Sequence, residues 1–74
     1  MKEYKYTGVQ IIQLLASKEL IEGTKVYIYE ENTLITTSIV KDDGDFMYLY
    51  SNDEIGELPN GFFTGDFDFI IKEE

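Results

Sequence analysis

The hydrophobic period of this chain changes once, near Gly23, and that change limits the folds open to it. Before Gly23, apolar residues recur every three or four positions, as on one face of an α-helix; after it, they alternate in steps of two, as in β-strands. One amphipathic helix followed by strands is typical of a two-layer α+β fold. Because the chain has 74 residues, we expect a single domain over 1–74.

The helix has a clear start signal. Thr7 and Gln10 have the spacing of a capping box, which predicts a helix that begins at Gly8. Its expected apolar stripe is wide and comprises Val9, Ile11, Ile12, Leu14, Leu15 and Ala16. Gly23 tolerates a positive φ, so we expect the helix, with any short extra turn, to end there.

Four strands are predicted after the helix. The first follows Thr24, the turn at 30–32 leads to a second over 33–40, and the pair Asp43-Gly44 predicts a hairpin into a third over 46–50. Residues 51–66 are rich in breakers and predict a loop with room for a helical turn or a short extended piece; a last strand covers 67–71. The expected order is α-β-β-β-loop-β, with the N-terminal helix packed on a mostly antiparallel sheet of about four strands.

Charge is distributed unevenly along the chain. The net charge is −9, of which residues 41–74 contribute −8 through ten acids and two lysines. Such a field attracts basic protein surfaces and repels phosphates, so we expect no direct binding to nucleic acid. The chain has no His, Cys, Arg or Trp, so the commonest catalytic base and thiol nucleophile are missing, and we expect neither enzymatic activity nor a cofactor. Its apolar runs are too short to cross a bilayer, so we expect a cytoplasmic protein without membrane contact.

Three carboxylates surround Gly44 and invite comparison with calcium-binding loops. Asp42, Asp43 and Asp45 have the crowding that hard cations prefer, but Tyr50 stands where an EF-hand has its glutamate. The sequence favours a plain hairpin turn, with a cation site as the alternative. Because these acids and those at Asp53, Glu54 and Glu57 are clustered, we also predict that they bind a partner.

Aromatic residues supply the other predicted binding positions. Tyr27 and Tyr29 share one face of the first strand, and Tyr48, with Tyr50, extends that surface if the helix covers the opposite face. The alternative is that these rings complete a thin core. The adjacent Phe62 and Phe63 would point to opposite sides of an extended segment, one outward as an anchor for a partner; the alternative is that both close the core.

Three segments near the two ends of the chain share a pattern with known proteins. Residues 7–15 (TGVQIIQLL), 20–26 (LIEGTKV) and 67–74 (FDFIIKEE) are similar to small acidic accessory proteins of phages and prophages of low-GC Gram-positive bacteria. The shared pattern is a capped helix, a Glu-Gly-Thr-Lys linker, a strand and an acidic tail strand, while 30–65 lies outside the resemblance. It implies a mobile-element origin, where short acidic proteins are often inhibitors of host defences, including anti-CRISPR proteins.

Charge and resemblance together give two functional hypotheses. The first is a non-enzymatic inhibitor that acts in the host bacterial cytoplasm and uses its acidic surface to block the basic surface of a nucleic-acid-binding protein. The second is a self-assembling structural or regulatory module, in which acidity serves only solubility and a homodimer buries the face of Tyr27 and Tyr29.

Overall fold

The computed structural model describes residues 2–51, 56–59 and 61–73. The fold is α+β. The described part contains six strands and two helices, in the order β1 (Lys2–Tyr6), α1 (Gly8–Ala16), β2 (Lys25–Glu30), β3 (Thr33–Asp42), β4 (Met47–Ser51), β5 (Gly56–Glu57), α2 (Gly61–Thr64) and β6 (Asp68–Glu73).

Helix α1 begins where the capping box predicts. The Gln10 backbone N–H donates to Thr7 Oγ1 at 3.2 Å, and the Thr7 N–H donates to Gln10 Oε1 at 2.8 Å. Two backbone donors that the helix itself leaves without an acceptor are thereby satisfied. The predicted start at Gly8 is confirmed.

The predicted end of the helix at Gly23 is wrong. Helix α1 stops at Ala16 because Lys18 takes a left-handed conformation with φ of 56°. The Lys18 N–H donates to the Leu15 carbonyl at 3.2 Å and the Glu19 N–H to the Leu14 carbonyl at 3.0 Å, which is the bonding pattern of a Schellman motif. Gly23 belongs instead to the turn before β2, where its N–H donates to the Val40 carbonyl at 2.8 Å.

The sheet is larger than expected. Its six strands are all antiparallel and lie in the order β1-β6-β2-β3-β4-β5, so the prediction of about four strands and one helix is wrong in number, although α+β is correct. The unpredicted strand β1 pairs along its whole length with β6, the last strand in the chain. Strand β5 and helix α2 lie inside the predicted loop.

One sheet face is covered by the two helices and holds the core. Its buried strand residues are Val26, Ile28, Val40, Leu49 and Phe69, which pack with Ile11 and Leu15 of α1 and with Leu58. Val9 and Ile12, both predicted for the apolar stripe, are exposed. The helix buries Gly8 as well, since a Cβ atom there would lie 2.0 Å from the Phe63 carbonyl oxygen of α2.

Strand β3 turns its more polar side to the core. Thr36 and Ser38 are buried on the helix side, and the Ser38 hydroxyl donates to the Val26 carbonyl at 3.3 Å. Ile39 lies on the opposite face, and Ile35 is the extra residue of a β-bulge, because Ile28 pairs with Thr36 while Tyr29 pairs with Leu34.

Candidate binding surfaces

The turn between β3 and β4, residues 42–46, is named the hairpin tip. Two of its carboxylates are used by the turn itself. Asp42 Oδ1 accepts from the Gly44 N–H at 2.9 Å, and Asp43 Oδ1 accepts from the N–H groups of Phe46 at 2.8 Å and Asp45 at 3.0 Å. Gly44 has φ of 101°, a conformation that glycine adopts without strain. The predicted Asp-Gly hairpin is therefore confirmed.

The carboxylates of the hairpin tip interact with backbone N–H groups and with Lys18. Hydrogen bonds from Phe46 and then Asp45 hold the pKa of the Asp43 carboxyl below its ordinary value of 3.8. Lys18 Nζ lies 3.6 Å from Asp42 Oδ1 and donates to the Gly44 carbonyl at 3.1 Å, so the end of α1 is tied to the tip. Asp45 is exposed. The tip is thus a hydrogen-bonded turn whose backbone N–H groups favour the charged form of the Asp43 carboxyl.

Phe46 is the exposed aromatic residue of the hairpin tip. Phe46 lies between Asp45 and the first residue of β4, and it is 71% exposed. Beside it is an open apolar groove of about 290 Å³, lined by Ile12 and Ala16 of α1, Met47, Leu58 and Phe63 among others. An apolar ring, a groove and a set of carboxylates therefore meet at one end of the molecule.

The sheet face opposite the helices carries the predicted tyrosines and is named the tyrosine face. Tyr27, Tyr29, Tyr48 and Tyr50 alternate along their strands with residues of the helix side, so all four lie on this face. The first three are half-buried and Tyr50 is exposed. Neither helix of the described ranges covers these rings, since both pack on the other side of the sheet.

Lysines also concentrate on the tyrosine face. Among the described residues, strand alternation places four lysines on it, namely Lys5, Lys25, Lys41 and Lys72, and three acids, namely Glu3, Glu57 and Asp68. Lys72 Nζ lies 4.4 Å from the centre of the Tyr27 ring, and Lys41 Nζ lies 5.6 Å from that of Tyr50. The tyrosines are therefore grouped with cations, whereas Asp42 lies on the helix side with Lys18.

The remaining predicted binding residues are dispersed. Glu57 lies on the edge strand β5 opposite Tyr50, and Asp53 and Glu54 fall outside the described residues. The expectation that Phe62 and Phe63 lie in an extended segment and point to opposite sides of it is wrong, because both belong to helix α2. Phe62 contacts the Phe67 ring at 4.9 Å between centroids and Phe63 stacks on Phe69 at 5.5 Å, so both rings pack against the core, as the alternative held.

The described part of the chain contains neither a cluster of metal ligands nor a helix that could span a membrane. Over residues 2–51, 56–59 and 61–73, there is no group of three or more carboxylates placed to hold a metal ion. Within those ranges no helix has the length and apolar character needed to span a membrane.

Sequence reasoning missed the exposure of Phe46 and the lysines of the tyrosine face. Phe46 was counted as the start of a strand, although its position straight after an Asp-Gly turn is a signal of exposure at a hairpin end. Lys25 lies two residues before Tyr27 on the same strand, and Lys41 lies opposite Tyr48 across the hairpin, so strand alternation and the hairpin indicate the face of both lysines. The position of Lys72 on that face depends on the pairing of β6 with β2, and that of Lys5 depends also on the pairing of β1 with β6, so neither carries a local signal.

The chain matches no protein-family model, no curated protein and no solved structure in the comparisons made with each.

Proposed function

We propose that this protein is a non-enzymatic inhibitor, of phage or prophage origin, that blocks a nucleic-acid-binding site of a bacterial protein in the host cytoplasm. The observation that carries the proposal is the hairpin tip, where Phe46 is 71% exposed beside an apolar groove and is flanked by Asp42, Asp43 and Asp45. An apolar anchor within a charged rim is the arrangement of an interface hot spot.

The chemistry of the tip fits a basic partner. Nucleic-acid-binding sites present lysine and arginine side chains, which pair with carboxylates as they do with phosphates, and an arginine guanidinium also stacks on an aromatic ring. The backbone donors that bind Asp43 keep its carboxylate charged and hold the turn in one conformation. A preorganised anionic turn loses little conformational entropy on binding, which supports affinity.

The proposal is tested by capture from a lysate of a low-GC Gram-positive bacterium, at low and at high salt. We expect the immobilised protein to retain a nucleic-acid-binding protein that added duplex DNA displaces and high salt elutes. Phe46→Ala should shorten the residence time of the complex. The triple change Asp42→Asn, Asp43→Asn and Asp45→Asn should slow its association, while the asparagine oxygens can still accept the hydrogen bonds of the turn.

A matched control variant distinguishes the effect of the charge at the hairpin tip from that of the net charge of the protein. Glu30→Gln, Glu31→Gln and Asp66→Asn together remove the same charge from exposed positions, and the turn at 31–32 lies at the other end of β3 from the hairpin tip. This variant should associate at close to the wild-type rate. The proposal fails if the two triple variants behave alike, or if capture is insensitive to salt and to DNA.

A second function, self-assembly as a structural or regulatory module, is favoured by the tyrosine face. Four tyrosines lie there with Ile39 and Ile70 among balanced charges, a composition suited to burial against another protein surface. If this face is the site of assembly, Ile39→Lys should abolish an oligomer seen by light scattering, whereas Phe46→Ala should leave it intact. A wild-type monomer at low micromolar concentration excludes this function but not the first.

A further inference from the structure

The N-terminal strand β1 forms one edge of the sheet. It pairs with β6 on one side and, in the described part of the chain, has no strand on the other, so half of its backbone groups face outward. Lys2, Glu3, Tyr4 and Lys5 are exposed. An edge of this kind can add a further strand through backbone hydrogen bonds.

The charge of β1 differs from that of the other strands. In a chain of net charge −9, it is the one described strand in which lysines outnumber acids, with Lys2 and Lys5 against Glu3. Two copies of so acidic a protein repel each other over most of their surfaces. The repulsion is weakest where cations are locally in excess, and β1 meets that condition.

The sequence of β1 is complementary to itself in one antiparallel register. When two copies of Lys-Glu-Tyr-Lys-Tyr pair about Tyr4, Glu3 of each lies opposite Lys5 of the other, and Tyr4 lies opposite Tyr4. Opposite charges and aromatic rings directly across a strand pair are both favourable. This register contains two Glu–Lys pairs related by the two-fold axis.

Neighbouring registers are disfavoured by the same residues. A shift of two residues, which keeps the helix sides of both copies together, brings Lys5 opposite Lys5 in one direction and Glu3 opposite Glu3 in the other. Like charges directly opposite each other are destabilising. The edge is therefore selective: its charges hinder pairing in the shifted registers and favour one arrangement of two copies.

Apolar groups lie next to this edge on the helix side. Tyr4 is 38% exposed and lines a concave region of about 440 Å³ together with Leu20 and Ile21, of which Ile21 is 77% exposed. In the register centred on Tyr4, the two Tyr4 rings meet at the mouth of these concavities. The pairing would thus bury apolar surface as well as satisfy backbone groups.

We propose that two copies of the protein pair through β1, antiparallel and centred on Tyr4, and so join their sheets into one. The pairing does not depend on the proposed inhibitory function. If that function holds, the dimer is bivalent, because the hairpin tip joins β3 to β4 and two strands, β6 and β2, separate β1 from β3.

The test uses charge reversal and sedimentation velocity over a range of concentrations. Glu3→Lys creates two Lys–Lys pairs in the proposed register and Lys5→Glu creates two Glu–Glu pairs, so each variant alone should dimerise at least about ten-fold more weakly than the wild type. An equimolar mixture of the two variants should restore a dimer, because at both pairs of positions 3 and 5 a lysine then faces a glutamate. The recovery also shows that both variants are folded, since unfolded chains would not regain pairing on mixing.

Two controls make the same charge changes on strands β5 and β2, on the same sheet face as Glu3 and Lys5 but away from the β1 edge. Glu57→Lys and Lys25→Glu should leave the wild-type dimer unchanged, because both residues lie away from β1. The proposal is overturned if the wild type remains a monomer at millimolar concentration, or if the mixture dimerises no better than its components. It is equally overturned if the two control variants abolish a dimer that the β1 variants preserve, which would place the second copy on the tyrosine face.

Discussion

The hairpin tip and helix α2 look alike in sequence and differ in structure. Each places phenylalanine close to glycine and aspartate, Phe46 after Gly44-Asp45 and Phe62-Phe63 between Gly61 and Asp66. In the hairpin tip the ring is exposed, whereas in α2 both rings pack against the core.

The difference shows that the conformation of a turn can depend on neighbouring residues alone, whereas the burial of an aromatic ring depends on the segments that pack against it. The hairpin tip is held by its own aspartates, which bind the N–H groups of the next residues and need little from the rest of the chain. The rings of α2 pack on Phe67 and Phe69, and the Phe63 backbone lies against Gly8, which is far away in sequence. Substitutions in the two regions should therefore affect stability very differently.

The largest expected effect is the contrast between two phenylalanines. Phe63→Ala removes a ring stacked on the buried Phe69 and should lower the free energy of unfolding by about 2–4 kcal/mol, and the melting temperature by at least about 10 °C. Phe46→Ala should change the free energy of unfolding by less than about 0.5 kcal/mol, because its ring is mostly in solvent. Thermal unfolding followed by circular dichroism measures both, and equal losses would contradict the assignment of the two regions.

A smaller effect is expected at the contact between the helices. Gly8→Ala forces a Cβ atom against the Phe63 carbonyl, which lies 2.0 Å from the ideal Cβ position, so we expect a loss of about 1–3 kcal/mol measured by urea unfolding. Gly61→Ala is the matched control, since an added Cβ there meets no atom within 4 Å. If both variants were as stable as the wild type, α2 would not be packed on the start of α1.

Breaking the link between α1 and the hairpin tip should have a weaker effect. Lys18→Met keeps the apolar stem but removes the charge 3.6 Å from Asp42 and the donor to the Gly44 carbonyl, so we expect a loss of about 0.5–1 kcal/mol in urea unfolding. Lys5→Met removes a more exposed ion pair, at 3.8 Å from Asp68, and should cost less. The reverse order would indicate that Lys18 does not hold the tip.

The smallest expected effect is a dependence of stability on pH that arises from the Asp43 carboxylate of the hairpin tip. Because the folded protein lowers the pKa of Asp43 below 3.8, its carboxylate stabilises the fold above that pH, and this stabilisation is lost as the pH falls through the lowered pKa. The difference in melting temperature between wild type and Asp43→Asn should therefore be constant above about pH 5 and shrink below about pH 4. A difference that stays constant down to pH 2 would show that the Asp43 charge contributes nothing.

Features with local causes were predictable from sequence. The capping box of Thr7 and Gln10, the Asp43-Gly44 hairpin and the turn at 30–32 each depend on residues that lie within a few positions of one another. The turn between β2 and β3 is made by Glu31 and Asn32, with φ of 49° and 69°. Alternation likewise placed Tyr27 and Tyr29 on one face, because side chains of a strand alternate whatever its neighbours are.

Strand β1 was missed because nothing local distinguishes it. Three of the five residues of Lys-Glu-Tyr-Lys-Tyr are charged, a composition depleted in strands, and its hydrogen-bonding partner β6 is the last strand of the chain. The end of α1 was misplaced for a related reason. Gly23 does adopt a positive φ, of 93°, but the helix has already ended before Lys18, which also has a positive φ and places its amine on the hairpin tip.

By itself, therefore, the sequence determined the α+β class, the first turn of the helix, the hairpins and the acidity of the chain, since these follow from short-range hydrogen bonds and from composition. The tertiary structure decided which face of each element is buried. Val9 and Ile12 are exposed while Gly8 is covered, and β3 buries Thr36 and Ser38 while Ile39 faces away. The physical reason is that burial depends on which distant segment packs where, here β6 beside β1 and α2 against Gly8, and no residue near those positions in sequence specifies that choice.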